Sequence, residues 1–185
     1  PRIQDIVAYE NKDPRLLQQF HAGYPRFFEN PLVRQLRNAN YQDGLLRSPQ
    51  DPLLPSYTTA VQLAKFLGLT NSAIYESGPF FSLSLGNDAT LAQNTHQFCQ
   101  HTGIRISSRE AEDALLHKGT ISSIYDEPLN PDPGPGSEIQ VKQHLHEVYG
   151  TASPDDIFLC RGGMNAFFAG FMAMNEIQAE KGKDV

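Results

Sequence analysis

Two short stretches of this chain could hold an anion. The first is Gly162-Gly163-Met164, which follows the apolar run Ile157-Phe158-Leu159-Cys160 and opens a helical pattern. At a helix start the first backbone N–H groups lack partners, and the aligned peptide dipoles favour negative charge. Glycines allow a phosphate close to that backbone, so the turn reads as a phosphate cradle. Two glycines between strand and helix also serve as plain turn chemistry, and the residues alone keep both readings open. No Gly-Lys-Ser/Thr follows, and GxGxxG is absent. The second stretch is Tyr24-Pro25-Arg26-Phe27-Phe28. An Arg fork suits phosphate, a Tyr hydroxyl adds a donor, and Pro with aromatics would fix both. The bland alternative is an aromatic loop on the core with Arg26 in water.

Other candidates carry less. His144 and His146 with Glu147 suggest a metal, but His at i and i+2 on a helix point apart, so a surface helix is expected. Arg105 and Arg109 flank Ser107 and Ser108; a capped helix start with solvated arginines is expected in place of an anion site. Cys99 and Cys160 both have apolar or aromatic neighbours and read as buried free thiols of a reducing cytoplasm.

The elements that must position these residues follow from caps and periodicity. Asp13-Pro14 opens a short helix to His21, and residues 21–31 read as an ordered loop. A helix starts near Pro31 and ends by Asp43-Gly44; another is capped by Ser56 and stops at Gly68. Ala73 to Leu85 reads as one or two strands broken at Ser77-Gly78-Pro79, with Phe80–Leu85 half-buried. Asp88 caps a helix to about His101. Ser107 with Glu110 is a capping box for a helix over 107–118, ended by Gly119. Thr120–Tyr125 reads as a short strand, and 128–136, rich in Pro and Gly, as a linker. Ser137 with Gln140 predicts a second capping box, its helix ending at Tyr149-Gly150. Ile157–Cys160 then reads as a buried strand of a parallel α/β sheet, with a helix over 165–180 after the glycine turn. One such unit cannot bury a sheet alone.

Bulk composition limits the rest. The 185 residues carry 15 Lys plus Arg against 21 Asp plus Glu, a formal charge of −6. That acidic balance argues against a nucleic-acid-binding surface, which would need a basic stripe. No apolar run approaches 18 residues, so no membrane span is expected. Cytoplasm is the default expectation, and a start at Pro1 without Met leaves room for a natural start upstream.

Taken together, the motifs resemble the cystathionine γ-synthase family. Ile157-Phe-Leu-Cys-Arg-Gly-Gly-Met164 is similar to that family's strand–Ser-Gly-Met–helix turn, with Gly162 in the serine slot. Gly-Tyr24-Pro-Arg26-Phe-Phe-Glu-Asn-Pro resembles its Tyr-x-Arg loop. Gln100-His-Thr-Gly and Ile106-Ser-Ser-Arg-Glu-Ala-Glu112 resemble a divergent branch known from fungi and some bacteria. The stretch between the two motifs is longer than in the ordinary family.

The resemblance implies the amino-terminal portion of a type I pyridoxal-phosphate (aspartate-aminotransferase-like) α/β fold. Helices and a short strand region would precede the first strand-turn-helix of the large domain. Residues 1–127 would form the amino-terminal segment with the cofactor-clamping loop, 128–136 a linker, and 137–185 an incomplete start of the large domain. The cofactor implied is pyridoxal 5'-phosphate, its phosphate bound by the amides of Gly163 and Met164 and, from a neighbouring subunit, by Tyr24 and Arg26. The parent would be a homo-oligomer acting on small amino acids. The reaction implied is γ-replacement on an O-acylhomoserine by cysteine. O-acylhomoserine sulfhydrylation, cystathionine lysis and a non-catalytic α/β interaction module are the alternatives. None of Lys12, Lys65, Lys118, Lys142, Lys181 or Lys183 lies in the family's Ser-x-Thr-Lys setting, so the chain alone is expected to be an inactive fragment.

Overall fold

The structure is a computed structural model that describes residues 3–11, 13–17, 29–122 and 136–183. The chain divides into two compact units, 1–120 and 121–185. Its described elements are mostly helical, with one small sheet.

In the first unit, α1 (Ile3–Glu10), which no cap signalled, and α2 (Pro14–Leu17) precede α3 (Pro31–Gln42). Proline opens both α2 and α3, where its missing N–H has no intrahelical role. Asn30 caps α3 by accepting from Leu32 N–H at 2.9 Å. Next come α4 (Tyr57–Phe66) and a hairpin of β1 (Ile74–Ser77) and β2 (Phe80–Leu83), then α5 (Ala89–Thr102) and α6 (Ser108–His117). Ser56 and Ser107 sit in closed capping boxes, and Asp88 accepts from the Thr90 and Leu91 amides.

The hairpin is antiparallel, pairing Ile74 with Leu83 and Ser77 with Phe80. Gly78 at φ 64 followed by Pro79 has the positive-then-negative pattern of a type II′ turn, whose twist matches the strands. β2 does not alternate, because both its faces are covered: Phe80, Ser82 and Leu83 are all buried. Leu54 bridges to Phe81 along its other edge. Leu54, Leu63, Leu83, Cys99 and Ile104 form the core; α3 packs on α6, and Leu36 and Leu115 on these helices are fully buried.

The Pro-rich loop over 47–55 is ordered by one buried carboxylate. Asp51 accepts from Ser48 N–H (3.0 Å), Leu85 N–H (2.9 Å) and the Tyr75 hydroxyl (2.5 Å). Burial, reinforced by the Asp51 charge and opposed by the Arg47 amide, pushes the Tyr75 phenol up to about 12 from 10. A phenol whose folded pKa exceeds its unfolded one stabilises the fold fully below pH 10 and loses that contribution between about 10 and 12. Urea stability is therefore expected to fall more steeply over this window in the wild type than in Tyr75→Phe. Parallel pH profiles would count against the buried phenol–carboxylate pair.

The second unit holds α7 (Ser137–Tyr149), a 3-10 turn at Pro154–Asp156 and α8 (Gly163–Glu180). Three expectations are corrected here. Ser137 is the first helical residue rather than a cap; Gly136, at φ 125, occupies that position with no side-chain bond. Ile157–Cys160 forms no strand: Ile157 has extended dihedrals, but no neighbouring strand lies beside it among the described residues. Phe158 is 85% exposed and Cys160 is exposed, not buried. A strand of a parallel sheet needs partners on its edges and layers on its faces, and this segment has neither. No described residue of the second unit is buried.

The expected strand over 120–125 falls partly outside the described residues; Thr120, Ile121 and Ser122 are not in a strand. The expected linker lies outside them except for Gly136, as do residues 18–21 of the helix expected over 13–21. No described helix is long and apolar enough to cross a membrane.

Candidate functional site

The glycine turn forms the amino end of α8. Gly162 precedes the helix with extended dihedrals (φ −178, ψ 169), a conformation open to any residue. A Cβ built on Gly162 or Gly163 meets no atom within 4 Å. Neither the backbone nor the chain's own packing therefore demands glycine here; the open space does suit the approach of a group from outside.

The first intrahelical bond of α8 runs from Ala166 N–H to Gly162 C=O at 2.9 Å. Ahead of it stand the N–H groups of Gly163, Met164 and Asn165, which a helix leaves without intrahelical acceptors. Side chains cap α3, α4, α5, α6 and the 154–156 turn; α8, like α7, has no side-chain cap, but unlike α7 it has no acid in its first turn. Three amides, a positive dipole end, no Cβ and no repelling carboxylate fit a phosphate dianion. Tyr24 and Arg26 lie outside the described residues.

Elsewhere the chemistry departs from expectation. Arg105 is only 20% exposed. Its guanidinium donates to His96 Nδ1 (2.8 Å) and lies 3.7 Å from Glu29, whose other oxygen accepts from Arg37 at 3.0 Å. Arg109 is the exposed one, paired with Glu112 at 3.3 Å. Cys99 is buried, and loss of solvent raises its thiol pKa to about 11, so it is no nucleophile near neutral pH. His146 meets the Thr151 hydroxyl at 2.9 Å, and no metal-ligating cluster exists among the described residues.

Sequence reasoning missed the grouping of Glu29, Arg37 and Arg105. A usable sign was present: Arg37 follows the apolar Val33 by four residues, on the inward row of α3.

The sequence is 30% identical over 185 residues to the L-2-amino-4-chloropent-4-enoate dechlorinase/desaturase of Streptantibioticus cattleyicolor, covering 99% of this chain and 36% of that protein. It is 24% identical over 137 residues to the Saccharomyces cerevisiae protein named "Putative cystathionine gamma-synthase YML082W", covering 62% of this chain and 21% of that one. The chain thus spans about a third of the first relative and a fifth of the second. No family model and no solved structure matches it. Both relatives carry enzyme names, which supports an enzyme as the parent protein, and one carries the name of the family that the motifs resemble.

Proposed function

We propose that this chain is the amino-terminal part of a pyridoxal-phosphate-dependent enzyme of the cystathionine γ-synthase type. The observation that carries the proposal is the start of α8, where no side chain caps the amides of Gly163, Met164 and Asn165 and the space beside Gly162 and Gly163 is open. These amides would hold the cofactor phosphate and fix its position along the helix axis. Tyr24 and Arg26 would clamp the same phosphate from a neighbouring subunit, which requires a homo-oligomer. When bound, pyridoxal phosphate acts as an electron sink beside the substrate's α-carbon. The lysine that carries the cofactor's aldehyde would come from outside residues 1–185.

The names of the two relatives narrow the substrate class. In a 2-amino-4-chloropent-4-enoate the chlorine is on C4, the γ-carbon of an L-amino acid. A cystathionine γ-synthase also works at a γ-carbon, as its name states. We therefore favour an L-2-amino acid with a leaving group at Cγ, replaced by the thiol of cysteine in the leading reading. Net elimination is the second reading, favoured by the desaturase name of the relative that aligns over 99% of the chain.

Adding pyridoxal phosphate to the full-length protein is expected to give a visible absorbance band, and borohydride is expected to fix the cofactor on a lysine. Arg26→Ala should increase the cofactor's dissociation constant by about tenfold or more, the loss of one charge-assisted contact. Folded protein that takes up no cofactor rejects the assignment; unchanged affinity in Arg26→Ala rejects the inter-subunit clamp. Product analysis, cystathionine against an unsaturated or keto product, separates replacement from elimination.

A further inference from the structure

A cavity of about 220 Å³ in the first unit has a charge pattern that the phosphate turn does not use. Glu29, Arg37, Thr95, His96, Cys99 and Arg105 are among its lining residues. Val33, Pro52, Leu53 and Ala92 supply apolar wall. Two guanidinium groups share one carboxylate there: Arg37 at 3.0 Å and Arg105 at 3.7 Å from Glu29. One positive charge is left uncompensated within the cluster, while the Cys99 thiol adds no negative charge near neutral pH.

Arg37 Nε, Arg105 Nε and Thr95 Oγ1 have no hydrogen-bond partner among the described residues and no accessible surface, so an acceptor in the cavity meets them by a rotation of their side chains. Thr95 is only 5% exposed. Buried polar groups in native proteins are nearly always paired, and three unmet ones around a single cavity are a recognition pattern awaiting an acceptor. The two arginines keep 24% and 20% of their side-chain surface, enough for entry from outside.

We infer that this cavity binds a short aliphatic carboxylate, its head against Arg37, Arg105 and Thr95 and its tail on Val33, Leu53 and Ala92. The volume accommodates a head group and a few carbons. A planar, singly charged head matches the guanidinium fork and the single excess charge. The inference is independent of the cofactor reading, since every group it uses lies between residues 29 and 105.

The test is calorimetric titration of the full-length protein with butyrate, in a low-salt buffer free of other carboxylates. A saturable one-site isotherm is expected for butyrate and none for butyramide. Arg37→Gln should weaken binding by at least about tenfold, the loss of a charged donor. Thr95→Val should weaken it about fivefold while keeping or raising the melting temperature, because it removes an unpaired buried hydroxyl. No saturable butyrate binding in the wild type overturns the inference. So does binding that is equal in both variants, as expected if butyrate sits elsewhere. Variants that change stability with no anion dependence would mark a purely structural ion cluster, and sulfate binding without butyrate binding would reject the carboxylate class.

Discussion

Asp51→Ala is expected to destabilise the chain by about 3–5 kcal/mol, read as a fall in the urea midpoint near neutral pH. The Asp51 side chain has no solvent exposure and accepts three hydrogen bonds, from Ser48, Tyr75 and Leu85. Each donor stranded by alanine costs about 1–3 kcal/mol if it stays buried, and water entering the vacated space offsets part of this. Asp51→Asn separates shape from charge. Its carbonyl oxygen can still accept, but its NH₂ must face one of the donors, so a loss of about 1–3 kcal/mol is expected. The order wild type, Asp51→Asn, Asp51→Ala in decreasing stability is the signature. An Asp51→Ala protein as stable as Asp155→Ala, a change at an exposed position, would show that the loop is held by something else.

Gly162→Asp should push stability and cofactor affinity in opposite directions. Aspartate is a favoured N-cap, and here it would accept from the amides of Met164 and Asn165 at N2 and N3. The helix gains a few tenths of a kcal/mol relative to glycine. Those same amides are the ones proposed for the phosphate, and the new carboxylate would repel the dianion. Losing two charge-assisted bonds, about 1.5–3 kcal/mol each, weakens pyridoxal-phosphate binding by at least about a hundredfold. Gly162→Ala is the control, since its Cβ meets nothing within 4 Å and its backbone is extended. A loaded Gly162→Asp protein with unchanged affinity would remove α8 from the cofactor site.

What the sequence disclosed was mostly local. The Ser107–Glu110 box, the Asp88 cap and the Gly78-Pro79 turn each depend on residues within three or four positions, so they could be read directly. Arg105 could not, because its partner Glu29 is distant in sequence and the capped helix start beside it suggested solvent. The loop over 47–55 looked irregular for the same reason: Asp51 orders it through Tyr75 and Leu85, which no spacing rule connects. Ser137 misled because the box pattern says nothing of where the helix begins, and Gly136 took the cap position. Ile157–Cys160 has the composition of a strand, but strand formation depends on neighbours, and none adjoins it among the described residues. At the candidate site, the glycine turn was legible as a helix entry; that it lacks both a side-chain cap and a first-turn acid was visible only in the structure.

The contrast between the two thiols has a practical use. Cys99 is buried with its thiol pKa raised to about 11, while Cys160 stands in the open two residues before Gly162. A maleimide dye at neutral pH will therefore label one position without mutagenesis, and that position adjoins the helix entry. Within residues 1–185, the molecule carries its own fluorescent reporter site for whatever docks there.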